Sequence, residues 1–257
     1  MKVALSPCPN DTFLFYAWIH KAINSPISIE PTYADIQQLN QWAIEGSYPL
    51  IKLSFATLAH VLDRYQLLPV GAALGYNCGP KIIAKEKRDT YGRIAIPGKL
   101  TTAHMLFDRL GLTATEKYFC RYDEIYTLLH QGKVDSGLII HESRFTYQQE
   151  GFVECADLGE LWGGLLPLGG LAVHKDFPHI PELISTLKRS LEYAHQNSQQ
   201  AEAFILKHSQ EKNRAVVYKH IKTYVNQESL QLSTAGMSAI TRLINHEADT
   251  ICPNFRS

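Results

Sequence analysis

Through the first two thirds of the chain, short apolar runs alternate with polar turns and stretches of helical periodicity. Val3-Ala4-Leu5 reads as a buried strand that stops at Pro7 and Pro9, because proline donates no ladder hydrogen bond. Asn10-Asp11 offers a helix cap, and Thr12–Lys21 carries a broad apolar face of Phe13, Leu14, Ala17 and Trp18. The same unit recurs. Leu50–Leu53 predicts a strand and Ser54 caps a helix with Phe55, Leu58, Ala59 and Leu62 inward. Arg93–Ile96 predicts a strand, Pro97-Gly98-Lys99 a turn, and Thr101 or Thr102 the start of a helix that ends before Gly111. Asp123 caps a short helix terminated by Gly132, and Gly137–Ile140 is a strand leading into His141-Glu142-Ser143.

Strands that each feed a helix through a polar turn argue for an α/β fold with mainly parallel sheets. Right-handed crossovers line up the strand C-termini on one edge, where ligands of open α/β sheets bind. Ser6–Asp11, Ser54, Thr102 and His141 all fall at such ends. After Pro181 the pattern is helical, with stripes at Leu183, Ile184, Leu187 and Leu191, at Val216, Val217, Ile221 and Tyr224, and at Met237, Ile240, Leu243 and Ile244. These helices must cover sheets already laid down. Gly79–Lys85 and Gly169–Lys175 read as crossings, which makes the middle of the chain an inserted lobe: residues 1–86 with 175–257 form one lobe and 87–174 the other.

The chain has 257 residues, 25 basic and 25 acidic, with 45% apolar residues, enough for two packed lobes. A neutral balance gives no electrostatic footprint for nucleic acid or an anionic membrane. The five cysteines, Cys8, Cys78, Cys120, Cys155 and Cys252, contain no C-x-x-C pair and fit reduced thiols. No run suits a signal peptide or a membrane span, so a cytoplasmic, unanchored protein is expected. Phosphate-loop, dinucleotide, H-E-x-x-H and G-x-S-x-G motifs are absent, and His174 and His179 have no carboxylate or thiol at ligand spacing, so no metal or cofactor is expected.

His141, at the end of an apolar strand, is the titratable group best matched to proton transfer at neutral pH. A half-buried histidine bonded to backbone is the plainer alternative. Thr102-Ala103, opening a helix, suits a carboxylate or phosphate, though simple capping explains threonine there as well. Ser54 could cap, bind ligand or both, and strand alternation leaves Lys52 as a solvated edge residue. Cys8 between two prolines stiffens a loop, and nothing in the sequence sets a base beside its thiol.

The opening SPCPNDTFLFYA (Ser6–Ala17) resembles the signature of the 1,4-dihydroxy-6-naphthoate synthase family of the futalosine route to menaquinone. The likeness continues through Lys52–Phe55, Ile96–Lys99, Thr101–Ala103, Asp123–Ile125 and Gly132–Glu142, in order over about residues 3–175. His104 departs from the pattern, which has a smaller polar residue after the TTA. The resemblance implies a two-lobed fold like the type II periplasmic binding proteins, with the ligand in a cleft between the lobes. It implies a carbon–carbon lyase without a cofactor, converting cyclic dehypoxanthinyl futalosine to 1,4-dihydroxy-6-naphthoate. His141 would be the proton acceptor, with activity rising through an imidazole-like pKa. Lys52, Leu53, Ser54, Thr102 and Ala103 would contact an aromatic carboxylate substrate, with Asn10 and Asp11 as further polar contacts. The rivals are a cytosolic small-carboxylate binding protein and the related chorismate dehydratase.

Overall fold

The computed structural model describes residues 1–255. Eleven strands build two mixed sheets among them. The first sheet holds β1 (Lys2–Leu5), β2 (Glu30–Tyr33), β3 (Leu50–Ser54), β4 (Tyr65–Leu67), β5 (Ala73–Gly75) and β11 (Leu166–His174). Its order is β2-β1-β3-β11-β4, with β5 also on β11. The second sheet, in the order β10-β6-β9-β7-β8, holds β6 (Lys81–Ala84), β7 (Arg93–Ile96), β8 (Glu116–Phe119), β9 (Ser136–Ile139) and β10 (Val153–Asp157).

The parallel pairs are β1 with β2 and β3, and β7 with β8 and β9. These are the strand–helix units that the apolar runs predict. The expectation of mainly parallel sheets needs correction at β6 and β11. Each arrives from the other sheet, enters the middle of its new sheet and runs antiparallel to its neighbours there. The expected lobe boundaries shift for the same reason. A division at 86/87 and 174/175 would leave β6 with the first sheet and β11 with the second, whereas their hydrogen bonds lie the other way round. The crossings fall between β5 and β6 and between β10 and β11.

The C-terminal helices cover the first sheet as their stripes require. In the helix Ile180–Gln196, Leu183, Leu187 and Leu191 are fully buried against the helix Pro9–Ile19, which packs with Val3 and Leu5 of β1. Ser190 ties the two helices, its hydroxyl donating to the Leu14 carbonyl at 2.6 Å. Met237, Ile240, Leu243 and Ile244 of the helix Thr234–Ile244 enter a second cluster. That cluster runs without a break from Leu53 and Phe55 beside β3 to Ile82, Ile94 and Leu138 in the second sheet. Apolar packing therefore joins the two sheets behind the cleft.

The first crossing is held by a glycine contact. A Cβ at Gly79 would lie 2.3 Å from the amide nitrogen of Gly159, and one at Gly159 would lie 2.7 Å from that of Gly79. Backbone on both sides leaves no flexible side chain to yield. Gly79→Ala should lower stability by about 1–3 kcal/mol, the usual cost of overpacking. A urea unfolding midpoint equal to that of the unsubstituted chain would show that the crossing has slack.

Candidate active site

The strand ends of both sheets face a cleft. Lys52 and Ser54 reach it from β3 and Gly169 from β11. Thr101, Thr102, Ala103, Ile140 and His141 face them from the second sheet, and Cys78, Gly79 and Pro80 lie on the crossing between. Asn10, His220 and Tyr224 close the remaining wall.

The cleft thus gathers Asn10, Lys52, Ser54, Thr102, Ala103 and His141, six of the eight residues named from the sequence, and leaves out Leu53 and Asp11. Strand alternation explains Leu53: with Lys52 and Ser54 turned to the cleft, the residue between them faces the core. Asp11 lies beneath the wall, its carboxylate 2.9 Å from Lys52 Nζ. Lys52 is therefore not a solvated edge residue. Its side chain is 7% exposed and that of Asp11 is 4% exposed, a buried ion pair. The pair pins the Ser6–Asp11 loop to β3. The other Asp11 oxygen accepts the Ser6 amide at 3.2 Å, so Asp11 is not a helix cap. Cys8 holds the N-cap position and Pro9 begins the helix, where its missing N–H costs nothing.

A chain of hydrogen bonds runs on from this pair. Asn10 Nδ2 donates to Asp11 Oδ1 at 2.8 Å, which leaves Asn10 Oδ1 as an acceptor for His220 Nε2 at 3.0 Å. His220 Nε2 therefore carries the ring proton, and Nδ1 is a bare lone pair. That Nδ1 is buried without a partner, 4.0 Å from Glu142 Oε2.

Ser54 and Thr102 are both engaged by protein. Asn40 donates to Ser54 Oγ at 2.9 Å and accepts the Ser54 amide at 2.8 Å. Ser54 stands before the helix Phe55–Leu58 without capping it by side chain. Thr102 Oγ1 donates to the Leu168 carbonyl at 2.7 Å and accepts the Ala56 amide at 3.2 Å, a clasp between the two sides of the cleft. The cap of the helix Thr102–Arg109 is Thr101, whose Oγ1 accepts the His104 amide. The amides of Thr102 and Ala103 head the helix, where no intrahelical acceptor exists. His104 is turned away from the cleft lining, onto the Lys99 carbonyl at 2.8 Å.

His141 follows β9 with φ at 55°, a left-handed conformation uncommon for any residue but glycine or asparagine. Such strain costs about 1–3 kcal/mol and persists where surrounding structure imposes it. The half-buried ring presents Nδ1 to Cys8 Sγ at 3.4 Å and meets the edge of Tyr122 at 4.9 Å between centroids. Burial, with the Lys52 charge added, pulls the imidazole down to about 4. The ring is neutral at neutral pH, free to accept a proton but a weaker base than an exposed imidazole. Burial shifts its neighbours toward their uncharged forms too. Burial, and after it the Glu142 charge, raises the Cys8 thiol well above its ordinary value. Burial pushes the Glu142 carboxyl up to about 7 and holds His220 well below the usual imidazole range.

The sequence does place a thiol beside this base, but 133 positions away. His220, Tyr224 and Cys78 were not foreseen at the site. Tyr224 donates to the Cys78 carbonyl at 2.9 Å and lies one helical turn from His220. A histidine set among Val216, Val217, Ile221 and Tyr224 on a buried face was the available signal.

Residues 1–249 match the family model described as "Menaquinone biosynthesis". A Thermus thermophilus protein named 1,4-dihydroxy-6-naphthoate synthase is 41% identical over 253 residues, covering 95% of this chain and 92% of its own. The Streptomyces coelicolor protein of the same name is 37% identical over 262 residues, covering 96% and 93%. The chain belongs to the 1,4-dihydroxy-6-naphthoate synthase family of menaquinone biosynthesis. It is an enzyme of that pathway. A crystal structure of an Archaeoglobus fulgidus protein superposes with a TM-score of 0.91 at 30% identity, covering 95% of each chain. The alkanesulfonate-binding protein of Xanthomonas axonopodis, at 14% identity, has a TM-score of 0.69 over 100% of this chain and 97% of its own. The second likeness places the fold among the periplasmic-binding-protein-like architectures, in which two α/β lobes flank a cleft. Among the described residues, no helix is long and apolar enough to cross a membrane.

The buried ion pair sets a quantitative expectation. Asp11→Asn leaves Lys52 charged, buried and without its partner, which should destabilise the fold by about 3–5 kcal/mol. The urea midpoint measures this, and a change below about 1 kcal/mol would show that water reaches Lys52.

Proposed function

We propose that this enzyme is a carbon–carbon lyase that converts cyclic dehypoxanthinyl futalosine to 1,4-dihydroxy-6-naphthoate, with His141 as general base. The observation that carries the reading is a neutral imidazole at a strand end on the cleft wall. The names of the Thermus and Streptomyces relatives supply the product.

Fragmentation of such a substrate asks for removal of one proton and stabilisation of charge on oxygen while the new ring becomes aromatic. His141 Nδ1 faces Cys8, so Nε2 is the nitrogen that takes the proton. Nε2 is a base only while Nδ1 carries the ring hydrogen, and Cys8 Sγ accepts that hydrogen. Cys8 is thus a positioning residue that holds the ring through Nδ1. The substrate carboxylate meets the amides of Thr102 and Ala103 at the positive end of the helix Thr102–Arg109. The Thr102 hydroxyl keeps its clasp on Leu168 and takes no part in that contact. Ser54, whose oxygen already accepts from Asn40, donates its hydroxyl hydrogen to a polar group of the substrate from the other wall. Asn10 is turned to Asp11 and His220 and bounds the cleft. The five free cysteines suit a reducing cytoplasm as the place of action.

His141→Asn should lower kcat by at least about 10²-fold. Asparagine tolerates the left-handed backbone at this position, so the variant keeps its fold. Turnover within a few-fold of the unsubstituted enzyme, read by appearance of the naphthoate chromophore, would remove His141 from the mechanism.

The pH profile differs from that of an exposed histidine. Protonation of His141 abolishes the base, so kcat/KM rises with pH through a midpoint of about 4. Of the groups around the ring, Cys8 and Tyr122 are pushed up and His220 down, while Glu142 titrates at about 7. An inflection near pH 7 therefore belongs to Glu142, and Glu142→Gln removes it. A main midpoint near 6.5, retained in Glu142→Gln, would show a water-exposed ring and overturn this assignment.

A further inference from the structure

The foot of the cleft carries more donor atoms than one proton transfer uses. Cys8 Sγ, a ring nitrogen of His141 and a carboxylate oxygen of Glu142 lie within 4.8 Å of one another. His220 Nδ1 stands 4.0 Å from Glu142 Oε2, too far for a hydrogen bond. Both His220 Nδ1 and Glu142 Oε1 are buried with no partner. Each such orphan costs about 1–3 kcal/mol, so two on facing elements point to a missing common partner. A proton on Glu142 does not bridge the gap, whereas an atom bound between the donors does. Ligands at 2.0–2.3 Å from a tetrahedral ion are separated by about 3.3–3.6 Å. The 3.4 Å between Cys8 Sγ and His141 Nδ1 already has that spacing.

We propose that Cys8, His141 and Glu142 form a binding site for a soft divalent cation of the Zn²⁺ class, that His220, which stands just outside this group beside Glu142, closes on the ion as the fourth ligand, and that occupation of the site switches the enzyme off. Sulfur and imidazole donors select such an ion over Mg²⁺ or Ca²⁺, which require oxygen. Charge favours the filled site. On binding, the Cys8 thiol and the Glu142 carboxyl release their protons to solvent. One thiolate and one carboxylate then balance a dication between two neutral imidazoles, and the nearby buried Arg144 is paired with Asp157 at 3.4 Å. Lys52 does not oppose this, since its ammonium is held by Asp11. His220 is ready as a ligand because its contact with Asn10 fixes the bare lone pair on Nδ1. The same Asn10 contact serves as the outer support that metal-bound histidines commonly have. The ion enters through the cleft, which His141 and His220 both line. It inhibits because it takes Nδ1 of the ring, which must carry the hydrogen if Nε2 is to be the base. The shut-off rests on the role proposed for His141; the binding does not.

The test uses the metal-free full chain, without substrate, titrated with Co²⁺. One equivalent should produce a near-ultraviolet thiolate-to-cobalt charge-transfer band and the intense visible bands of a four-coordinate ion, and Zn²⁺ should displace it. Cys8→Ser should abolish the charge-transfer band, with folding confirmed by circular dichroism. His220→Ala should weaken binding at least about 10-fold. Cys78→Ser and His174→Ala should leave both spectrum and affinity unchanged. Absence of a stoichiometric thiolate band in the unsubstituted chain overturns the site, and so does a band that survives Cys8→Ser or disappears in Cys78→Ser. In a separate arm, Zn²⁺ at one equivalent should abolish turnover. Turnover that continues with the metal bound overturns the shut-off. A metal-free enzyme that never forms the naphthoate fails the functional reading, while the cobalt spectra still decide the site.

Discussion

The contact between Lys52 and Asp11 organises everything at the mouth of the two sheets. A buried ion pair is expensive to desolvate and adds little net stability against an apolar alternative. Its value is geometric. It fixes the Ser6–Asp11 loop to β3, and through Asn10 it chooses which nitrogen of His220 carries a proton. The same ammonium adds to burial in keeping His141 unprotonated. Loop position and tautomer thus follow from one pairing between residues far apart in the sequence, which also reinforces the protonation state that burial sets.

Much of this fold was legible because its central strands are two-sided. The residues of β3 are buried throughout, as are all but the first residue of β1 and β7, and such runs stand out. The edge strands did not. Glu30–Tyr33 and Glu116–Phe119 are half-buried or exposed along their whole length and look like loop. Tyr65–Leu67 and Ala73–Gly75 are too short for any period to show. The crossings were seen, but their sheet membership was not, because an apolar run does not say which of two sheets will pair with it. Only the hydrogen-bond register decides that β11 lies between β3 and β4.

The site was legible where function sits at a strand end and obscure where it depends on distance in the chain. His141, Ser54 and Thr102 could be picked out because each follows an apolar strand or its turn. Lys52 was misplaced because alternation assigns a side to a residue but not what covers that side; the helix Pro9–Ile19 and its preceding loop cover it. The thiol at Cys8 and the imidazole at His220 gain their meaning only when the two ends of the chain fold onto the middle, and no local pattern records that.

The neutrality of the cluster connects these points. A cavity that holds an imidazole, a thiol and a carboxyl side by side could in principle charge all three, as happens when water reaches them. Here burial is the leading cause of every shift, and each shift disfavours the charged form of its group. The permanent cations beside the cluster are each paired, Lys52 with Asp11 and Arg144 with Asp157. With the thiol and both imidazoles uncharged and Glu142 only partly ionised near neutral pH, a bound anion at the helix start meets little repulsion from its own base. In the proposed metal-bound form the same donors exchange protons for the ion. The backbone strain at His141 fits the same picture: the left-handed residue sets the ring beside Cys8, where burial keeps it unprotonated.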